Sequence, residues 1–376
     1  MAETSKWREK IANLKDRKTD AQTMGGSEKV AKHHAAGKMD ARQRIASLLQ
    51  GGSFTEVGQL AGGEVDAFVA GIGSLDGRPV AVGCEDFTVK GGSIGRAESA
   101  KRYRIAELAL QERIPLVMLL EGAGHRPPLP DDPPSFRTPG DLQAQADASG
   151  RIPLATAVLG PSAGHGALSA PLADFTVMTE QASIFTAGPP LVKASLGEDI
   201  TKEELGGPEI ALHSGVIHNL ASNDESALEQ IRTWLSYLPS SAWQVPTRLL
   251  DAEGERNVNE LLDIIPENPR QAYDILDVIN AVVDTGSVFI VQPVFGQSLV
   301  TCFARLGGRP VAIVANQPKH MAGSITVDAA GKATQFIQVA DSFHLPLIFL
   351  TDNPGVLAGS SSEKAGILRH AGRMFL

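Results

Sequence analysis

The pentapeptide GRPVA at residues 77–81 recurs at residues 308–312, which is an offset of 231 along the chain. The same offset carries the tripeptide GSI at residues 92–94 onto residues 323–325. Between residues 75 and 124, 15 of 50 positions are identical to their counterparts at this offset, without a gap. Self-similarity at one fixed offset is the signature of a duplicated structural unit. The sequence therefore predicts two copies of one domain.

Each copy has the residue pattern of an α/β domain. In the first copy, apolar runs at residues 80–82, 116–120 and 155–159 predict buried strands, and residues 97–110 predict a helix. Strands that alternate with helices favour a sheet with crossover connections. The predicted organisation is a helical N-terminal segment at 1–50, a first domain at 51–238, a linker at 239–271 and a partial second domain at 272–376.

The second copy is expected to be incomplete. A glycine-rich segment of the first copy begins at Gly160, and its counterpart at the same offset would lie beyond Leu376. The sequence thus predicts one complete domain followed by part of a second.

Composition argues against several classes of protein. The chain of 376 residues has a net charge of −9 and 5% aromatic residues, which disfavours nucleic acid as a partner. It has two cysteines and no Cys-x-x-Cys pair, which excludes a zinc ribbon and disfavours a disulfide scaffold, and no metal site is predicted. No apolar run reaches the roughly 18 residues of a membrane span, and the N-terminus lacks the pattern of a secretory signal. We expect a cytoplasmic protein that makes no contact with a membrane.

Glycine-rich turns follow three of the predicted strands. Backbone N–H groups in a turn between a strand and a helix point toward anions, and glycine lets a ligand approach the backbone closely. None of these turns has the common nucleotide-binding spacing. The sequence therefore predicts substrate sites lined by backbone. The turns are Gly91, Gly92 and Ser93, then Gly122, Ala123 and Gly124, and finally the heptapeptide GPSAGHG at residues 160–166.

A serine hydrolase is an alternative interpretation of the third turn. The pentapeptide GPSAG at residues 160–164 fits G-x-S-x-G, the nucleophile elbow of α/β-hydrolases, with Ser162 as the nucleophile. Acid and histidine candidates follow in the required order, for instance Asp199 and His213. A hydrolase domain offers no reason for the long-offset repeat.

Taken together, the motifs of the chain give it a family resemblance. It resembles the carboxyltransferase (beta) subunit of biotin-dependent acyl-CoA carboxylases, of the propionyl-CoA and 3-methylcrotonyl-CoA carboxylase type. The similarity runs through nearly the whole chain. The motifs that carry it are ARQRI at 41–45, TVKGGS at 88–93, EGAG at 121–124, AGPPLVK at 187–193, EELGG at 203–207, VANQP at 314–318 and DNPG at 352–355.

The resemblance implies a fold and a reaction. The fold is a tandem of crotonase-like (ClpP/crotonase) domains, each a spiral of ββα units in the α/β class, with the second domain incomplete here. The reaction moves a carboxyl group from carboxybiotin, carried on a partner protein, to the α or γ carbon of a short-chain acyl-CoA. The thioester enolate of that reaction is held by backbone oxyanion holes.

The resemblance also implies partners and cofactors. The partners are a biotin carboxylase and a biotin carboxyl carrier subunit, together with further copies of the chain in a homo-oligomer built from dimers, such as a hexamer. Biotin is the cofactor, a coenzyme A thioester is the substrate, and no metal is required. A second alternative is an inactive, truncated subunit with a role in assembly only.

Site residues follow by carry-over from the family motifs. The backbone of His165 and Gly166 falls at the oxyanion hole of the first domain, where the family usually has two glycines. Gly91, Gly92, Ser93, Gly122, Ala123, Gly124 and Gly164 fall at the acyl-CoA site. Arg96, Lys101 and Arg102 are candidates for the CoA phosphates. Ala322, Gly323, Pro354 and Gly355 fall on the biotin side, in the second domain.

Overall fold

The computed structural model of the chain describes residues 2–61, 65–126, 140–250, 254, 257–268 and 270–375, with side chains from Lys6 onward. Parts of the predicted linker at 239–271 therefore lie outside the described residues. The chain divides into two compact units, Met1–Pro208 with Leu220–Ile231, and Glu209–Asn219 with Arg232–Leu376. The sequence-based boundaries remain a prediction, and they do not anticipate that residues 209–219 join the second unit.

Helices occupy most of the segment 1–50 and alternate with strands afterwards, as the sequence predicts. The helices of the described residues are α1 (Ala2–Gln22), α2 (Ser27–Ala35), α3 (Ala41–Leu48), α4 (Arg96–Glu112), α5 (Asp141–Ala148), α6 (Gly164–Ala167), α7 (Pro189–Leu196), α8 (Lys202–Gly206), α9 (Pro208–His213), α10 (Asp224–Tyr237), α11 (Leu261–Ile264), α12 (Ile275–Val282), α13 (Val327–Ser342), α14 (Ser360–Lys364) and α15 (Ile367–Arg373). Within these residues, no helix is both long enough and apolar enough to cross a membrane.

The strands form two mixed sheets. One sheet has the order β1-β2-β3-β4-β5-β6-β8, with β7 paired to β5, and the other has the order β12-β11-β10-β9. The strands are β1 (Thr55–Glu56), β2 (Phe68–Leu75), β3 (Arg78–Glu85), β4 (Leu116–Gly122), β5 (Leu154–Ala163), β6 (Phe175–Thr179), β7 (Ser183–Phe185), β8 (Asn219–Ala221), β9 (Phe289–Val291), β10 (Leu299–Leu306), β11 (Arg309–Asn316) and β12 (Leu347–Leu350).

A tight hairpin joins β2 to β3. Its two loop residues, Asp76 and Gly77, have φ of 49° and 78°. Positive φ at both positions is the type I′ geometry, whose twist matches that of paired antiparallel strands. After this hairpin, β3, β4, β5 and β6 run parallel to one another. Every residue of β4 is buried, as expected for a strand in the middle of a parallel sheet.

The same construction recurs in the second unit at the offset seen in the sequence, so the predicted duplication is confirmed. An antiparallel hairpin, a 3-10 turn, a long helix and a parallel strand follow one another in each unit. Even single pairings repeat. In the first unit these are Leu75 with Arg78, Ala81 with Leu116, and Ile94 with His125, and in the second they are Leu306 with Arg309, Ala312 with Leu347, and Ile325 with Val356.

The second unit has an apolar core in which α12 packs against its sheet. Ile279 of α12 and Cys302, Ile313 and Ala315 of the strands are among its buried members. The apolar face of α12 is the physical reason that this short helix forms, since burial of such a face contributes more than helix propensity does. The helix begins at Ile275, and the side chain of Asp274 caps its N-terminus by accepting from the N–H of Leu276.

Burial of His218 in the second unit predicts a pH dependence. Burial lowers the pKa of His218 to about 4, and a hydrogen bond with Gln335 offsets this only in part. Above pH 6.5 the imidazole is neutral in both states, and as the pH falls toward 4 the unfolded chain takes up the proton first. We expect the free energy of unfolding to fall by about 3 kcal/mol over this window because of His218.

Urea unfolding between pH 7 and pH 4.5 measures this effect. His218→Gln should flatten the curve, whereas His213→Gln, which changes an exposed side chain, should leave it as it is. Parallel curves for the wild type and His218→Gln would contradict the prediction.

Candidate functional site

The three predicted glycine turns of the first unit meet at the carboxyl ends of β3, β4 and β5. A Cβ at Gly92 would lie 2.8 Å from the Cα of Gly122, and closer still to the carbonyl oxygen of Glu121. A Cβ at Gly124 would lie 2.8 Å from the carbonyl oxygen of Ala163. Backbone therefore packs directly on backbone here, which requires glycine. This edge of a parallel sheet is where α/β folds bind ligands.

Hydrogen bonds between the turns hold their spacing. The N–H of Ala123 donates to the carbonyl of Gly91 at 3.0 Å, and the N–H of Ile94 donates to the carbonyl of Gly124 at 2.7 Å. Ser93 closes its own turn by donating from Oγ to the carbonyl of Lys90 at 2.7 Å. The turns therefore form one rigid assembly.

His165 and Gly166 lie in α6, which begins directly after β5 ends at Ala163. The N–H groups of a first helical turn have no acceptor within their own helix, so this short turn can offer donors to a ligand. Gly166 has no room for a side chain, because its Cβ would lie 2.6 Å from Oε1 of Glu85. Gly164 completes the turn at its start.

A buried chain of charged groups leads from Glu85 to His165. Arg102 donates to Oε1 of Glu85 at 2.9 Å, to Oδ2 of Asp141 at 2.8 Å and to Oγ of Ser169 at 2.8 Å. The other oxygen of Asp141 lies 2.6 Å from Nε2 of His165. The side chain of His165 is 28% exposed, whereas those of Asp141 and Arg102 are buried. These buried contacts therefore end at the imidazole of His165, which is partly exposed to solvent.

The two carboxyl groups of this buried charged cluster, Glu85 and Asp141, have pKa values that are shifted in opposite directions. Burial is the largest influence on Glu85 and raises its pKa. Burial also acts to raise the pKa of Asp141, but the hydrogen bond from His165 and the charge of Arg102 outweigh it and lower that pKa to about 2. Asp141 is therefore ionised at any pH near neutrality.

A second imidazole lies against His165. The rings of His125 and His165 have their centroids 4.3 Å apart in an edge-on arrangement. Burial and the nearby His165 lower the pKa of His125. Sequence reasoning missed Asp141 and His125, since neither belongs to a glycine motif and Asp141 lies 24 positions before His165.

The prediction that Lys101 and Arg102 meet CoA phosphates is wrong. Both lie on the buried face of α4, and Lys101 pairs with Asp66 at 2.9 Å and donates to the carbonyl of Phe68. Arg102 is fully buried in the charged chain described above. Helical position, which the sequence motif does not convey, directs these two cations inward. Arg96 is exposed, and its contact with phosphate stays a prediction.

The serine hydrolase alternative is also wrong. Ser162 lies inside β5, where it pairs in register with Ile184 of β7, and it is fully buried. A nucleophile elbow instead places its serine on a sharp turn with the hydroxyl exposed. Asp199 forms an ion pair with Lys193 at the surface, at 3.0 Å. The strand thus continues past the residue at which an elbow would have to turn.

Glu121 anchors the N-terminal helices to the end of β4. Its buried carboxylate lies 2.7 Å from Nζ of Lys38 and 2.7 Å from a guanidinium nitrogen of Arg44. Arg44, on α3, also donates to Asp224 at 2.8 Å. These contacts make Glu121 the centre of a buried ion cluster at the end of β4.

The second unit has a corresponding site at the same offset along the chain. A Cβ at Gly323 would lie 2.5 Å from the carbonyl oxygen of Asp352, and the N–H of Ile325 donates to the carbonyl of Gly355 at 3.1 Å. Asn316 occupies the position that corresponds to Glu85, and its amide donates to the carbonyl of Gly323 at 2.8 Å. The predicted residues of this side come together here, namely Ala322, Gly323, Pro354 and Gly355.

Known proteins resemble the chain over nearly all of its length. A family model described as the carboxyl transferase domain matches residues 32–375. The carboxyltransferase subunit of propionyl-CoA carboxylase from Haloferax mediterranei is 37% identical, over 97% of this chain and 74% of that protein. The alpha subunit of methylmalonyl-CoA decarboxylase from Veillonella parvula is 36% identical, over 97% of this chain and 75% of that protein.

Solved structures agree with these relatives. The transcarboxylase 12S hexamer with methylmalonyl-coenzyme A and methylmalonic acid bound superposes with a TM-score of 0.88 at 35% identity. The match covers 97% of this chain and 74% of the 12S chain.

Proposed function

This chain belongs to the carboxyl transferase domain family and has its crotonase-like α/β fold, and from that premise we propose how its two units divide the reaction. The chain is an enzyme, a carboxyltransferase of the acyl-CoA carboxylase type. The first unit binds the acyl-CoA thioester at its glycine turns. The second unit binds the ureido ring of biotin at the corresponding turns, which contain Gly323 and Gly355.

The N–H groups of His165 and Gly166 support the assignment of the first unit. Loss of an α-proton or of a carboxyl group turns the thioester into an enolate, and negative charge develops on its oxygen. Donors that are fixed before the reaction stabilise such an oxygen, and the loss of one donor raises the barrier by about 3–4 kcal/mol. The packing of Gly166 on Glu85 supplies that rigidity. This is the single observation that carries the proposal.

The replacement of Glu85 by a neutral Asn316 supports the assignment of biotin to the second site. Carboxybiotin, when bound, would supply the carboxyl group. Negative charge develops on its ureido oxygen as the carboxyl group leaves, which calls for backbone and amide N–H donors rather than for a buried carboxylate. The turn at Gly323 is a cradle that a side chain would fill. The residues present therefore fit the group.

The relatives favour a short acyl chain and a multi-subunit assembly. One of them is a propionyl-CoA carboxylase subunit, and another acts on methylmalonyl-CoA. The solved relative is a hexamer described as a multienzyme core. We infer that this chain takes a short-chain acyl-CoA such as propionyl-CoA, works with biotin carboxylase and biotin carrier subunits, and forms a homo-oligomer.

Decarboxylation of methylmalonyl-CoA or malonyl-CoA by the purified chain, with free biotin as acceptor, tests the proposal. Gly166→Ala keeps its N–H group, but its Cβ would lie 2.6 Å from Oε1 of Glu85, so the turn must move. We expect kcat to fall by about 10²-fold or more, approaching the effect of losing an oxyanion donor. Gly331→Ala is the matched control, because its Cβ would enter open space on α13. Circular dichroism shows whether each variant folds. A folded Gly166→Ala variant with the wild-type rate would contradict the assignment.

A further inference from the structure

We propose that His165 is a general base, through which the first unit exchanges the α-hydrogen of a bound acyl-CoA with solvent in the absence of biotin. The inference rests on the proposed function in one respect, the placement of the thioester at the turn of His165 and Gly166. It goes beyond carboxyl transfer because it assigns a proton-transfer activity to a side chain.

The contact with Asp141 decides which nitrogen of His165 can act. An ionised carboxylate has no proton to donate, so at the 2.6 Å contact Nε2 of His165 must carry the hydrogen. Nδ1 then keeps its lone pair and is free to accept a proton. Asp141 is held in place by Arg102, which binds its other oxygen at 2.8 Å. This is the arrangement by which an acid orients a histidine base in hydrolytic triads.

The position of His165 places its ring at the reacting atoms. The imidazole belongs to the same residue whose N–H group is assigned to the enolate oxygen. It is partly exposed, and it packs against His125, which directly follows the turn Gly122–Gly124. The ring therefore lies where the two turns of the acyl site meet. Asp141 is a positioning residue in this arrangement.

Among the residues that the structure describes, four titratable or charged groups surround His165. Asp141 of α5 binds it, Arg102 of α4 lies behind Asp141, Glu85 ends β3 beyond Arg102, and His125 follows β4. Arg102 pairs with both Glu85 and Asp141, so one guanidinium faces two carboxyl groups. The imidazole of His165 lies directly against one of these carboxyl groups, that of Asp141.

The exchange step balances without a co-reactant. The α-carbon–hydrogen bond breaks, the proton moves to Nδ1, and the electron pair of that bond enters the thioester to form the enolate. The enolate oxygen rests on the backbone N–H groups of His165 and Gly166. The imidazolium exchanges its proton with water and returns a solvent proton to the α-carbon. The product is the same acyl-CoA with an exchanged hydrogen.

Deuterium incorporation into propionyl-CoA, measured by mass spectrometry in D2O without biotin, tests the proposal. We expect the wild type to exchange with saturation kinetics, and His165→Gly to lose about 10²-fold or more of the rate, as is typical of a general base. Added imidazole should restore part of the rate of His165→Gly. His34 offers a matched control, since it forms a similar pair with Asp40 at 2.9 Å outside the site, and His34→Ala should exchange like the wild type.

Asp141→Asn separates a positioning role from a structural one. The amide of asparagine can donate as well as accept, so it no longer fixes the hydrogen on Nε2 of His165. We expect kcat for exchange to fall while the KM for propionyl-CoA stays unchanged, whereas a purely structural role would raise KM as well.

The outcomes distinguish this inference from the proposed function. A wild type that decarboxylates methylmalonyl-CoA with biotin but shows no exchange overturns the inference and leaves the proposed function standing. Exchange that persists in a folded His165→Gly variant also overturns it. A wild type that does neither contradicts the proposed function as well.

Discussion

Glu121→Ala is expected to lower the free energy of unfolding of the first unit by about 3–5 kcal/mol, the usual cost of breaking a buried ion pair by removing one of its members. The carboxylate of Glu121 lies 2.7 Å from Lys38 and 2.7 Å from Arg44, and Arg44 is itself buried. Without Glu121, the guanidinium of Arg44 keeps Asp224 as its remaining carboxylate partner. The junction between α3 and the end of β4 should therefore loosen first.

Urea denaturation followed by circular dichroism measures the loss. Glu107→Ala is the control, because Glu107 pairs with Arg104 at the surface of α4 and its removal should cost less than about 1 kcal/mol. Glu121→Gln keeps the volume and removes the charge, so it should fall between the other two variants. If Glu121→Ala proves no more destabilising than Glu107→Ala, the buried cluster does not hold the N-terminal helices.

Gly92→Ala is expected to abolish activity and to cost more stability than any substitution that merely strains the backbone. Gly92 has a φ of 65°, and its Cβ would press into the carbonyl of Glu121 and lie 2.8 Å from the Cα of Gly122. Neither neighbour is the end of a flexible side chain. The turns must therefore separate, which disrupts the backbone geometry on which the acyl site depends.

Gly91→Ala is the matched comparison for this prediction. Gly91 has a φ of 64°, but its Cβ would meet open space. The duplicated unit already carries the substitution, since Ala322 stands at the corresponding position with a φ of 52°. Gly91→Ala should therefore cost about 1 kcal/mol, the strain of a left-handed alanine. Thermal unfolding and decarboxylation of both variants give the answer, and equal losses for the two would contradict the argument.

The repeat is the part of the fold that was most open to prediction. Identical residues at a fixed offset predicted two equivalent units, and the structure confirms equivalent strand registers in both. The sequence also predicted that the glycine turns form a site, because backbone N–H groups at strand ends point toward anions and glycine lets a ligand approach closely. Predictions about single side chains were less successful. Lys101 and Arg102 were assigned to phosphate by charge, yet charge says nothing about which face of α4 they occupy.

The sequence by itself determined the family, the duplication and the backbone character of the two sites, because these depend on local patterns of glycine, proline and apolar residues. Only the tertiary structure decided which side chains pack against the glycine turns. Glu85, Arg102, Asp141 and His165 lie far apart in the chain and meet because four separate elements converge at one end of the sheet. Long-range pairing of this kind leaves no local trace in the chain, and here it joins the imidazole of His165 to the buried carboxylate of Asp141.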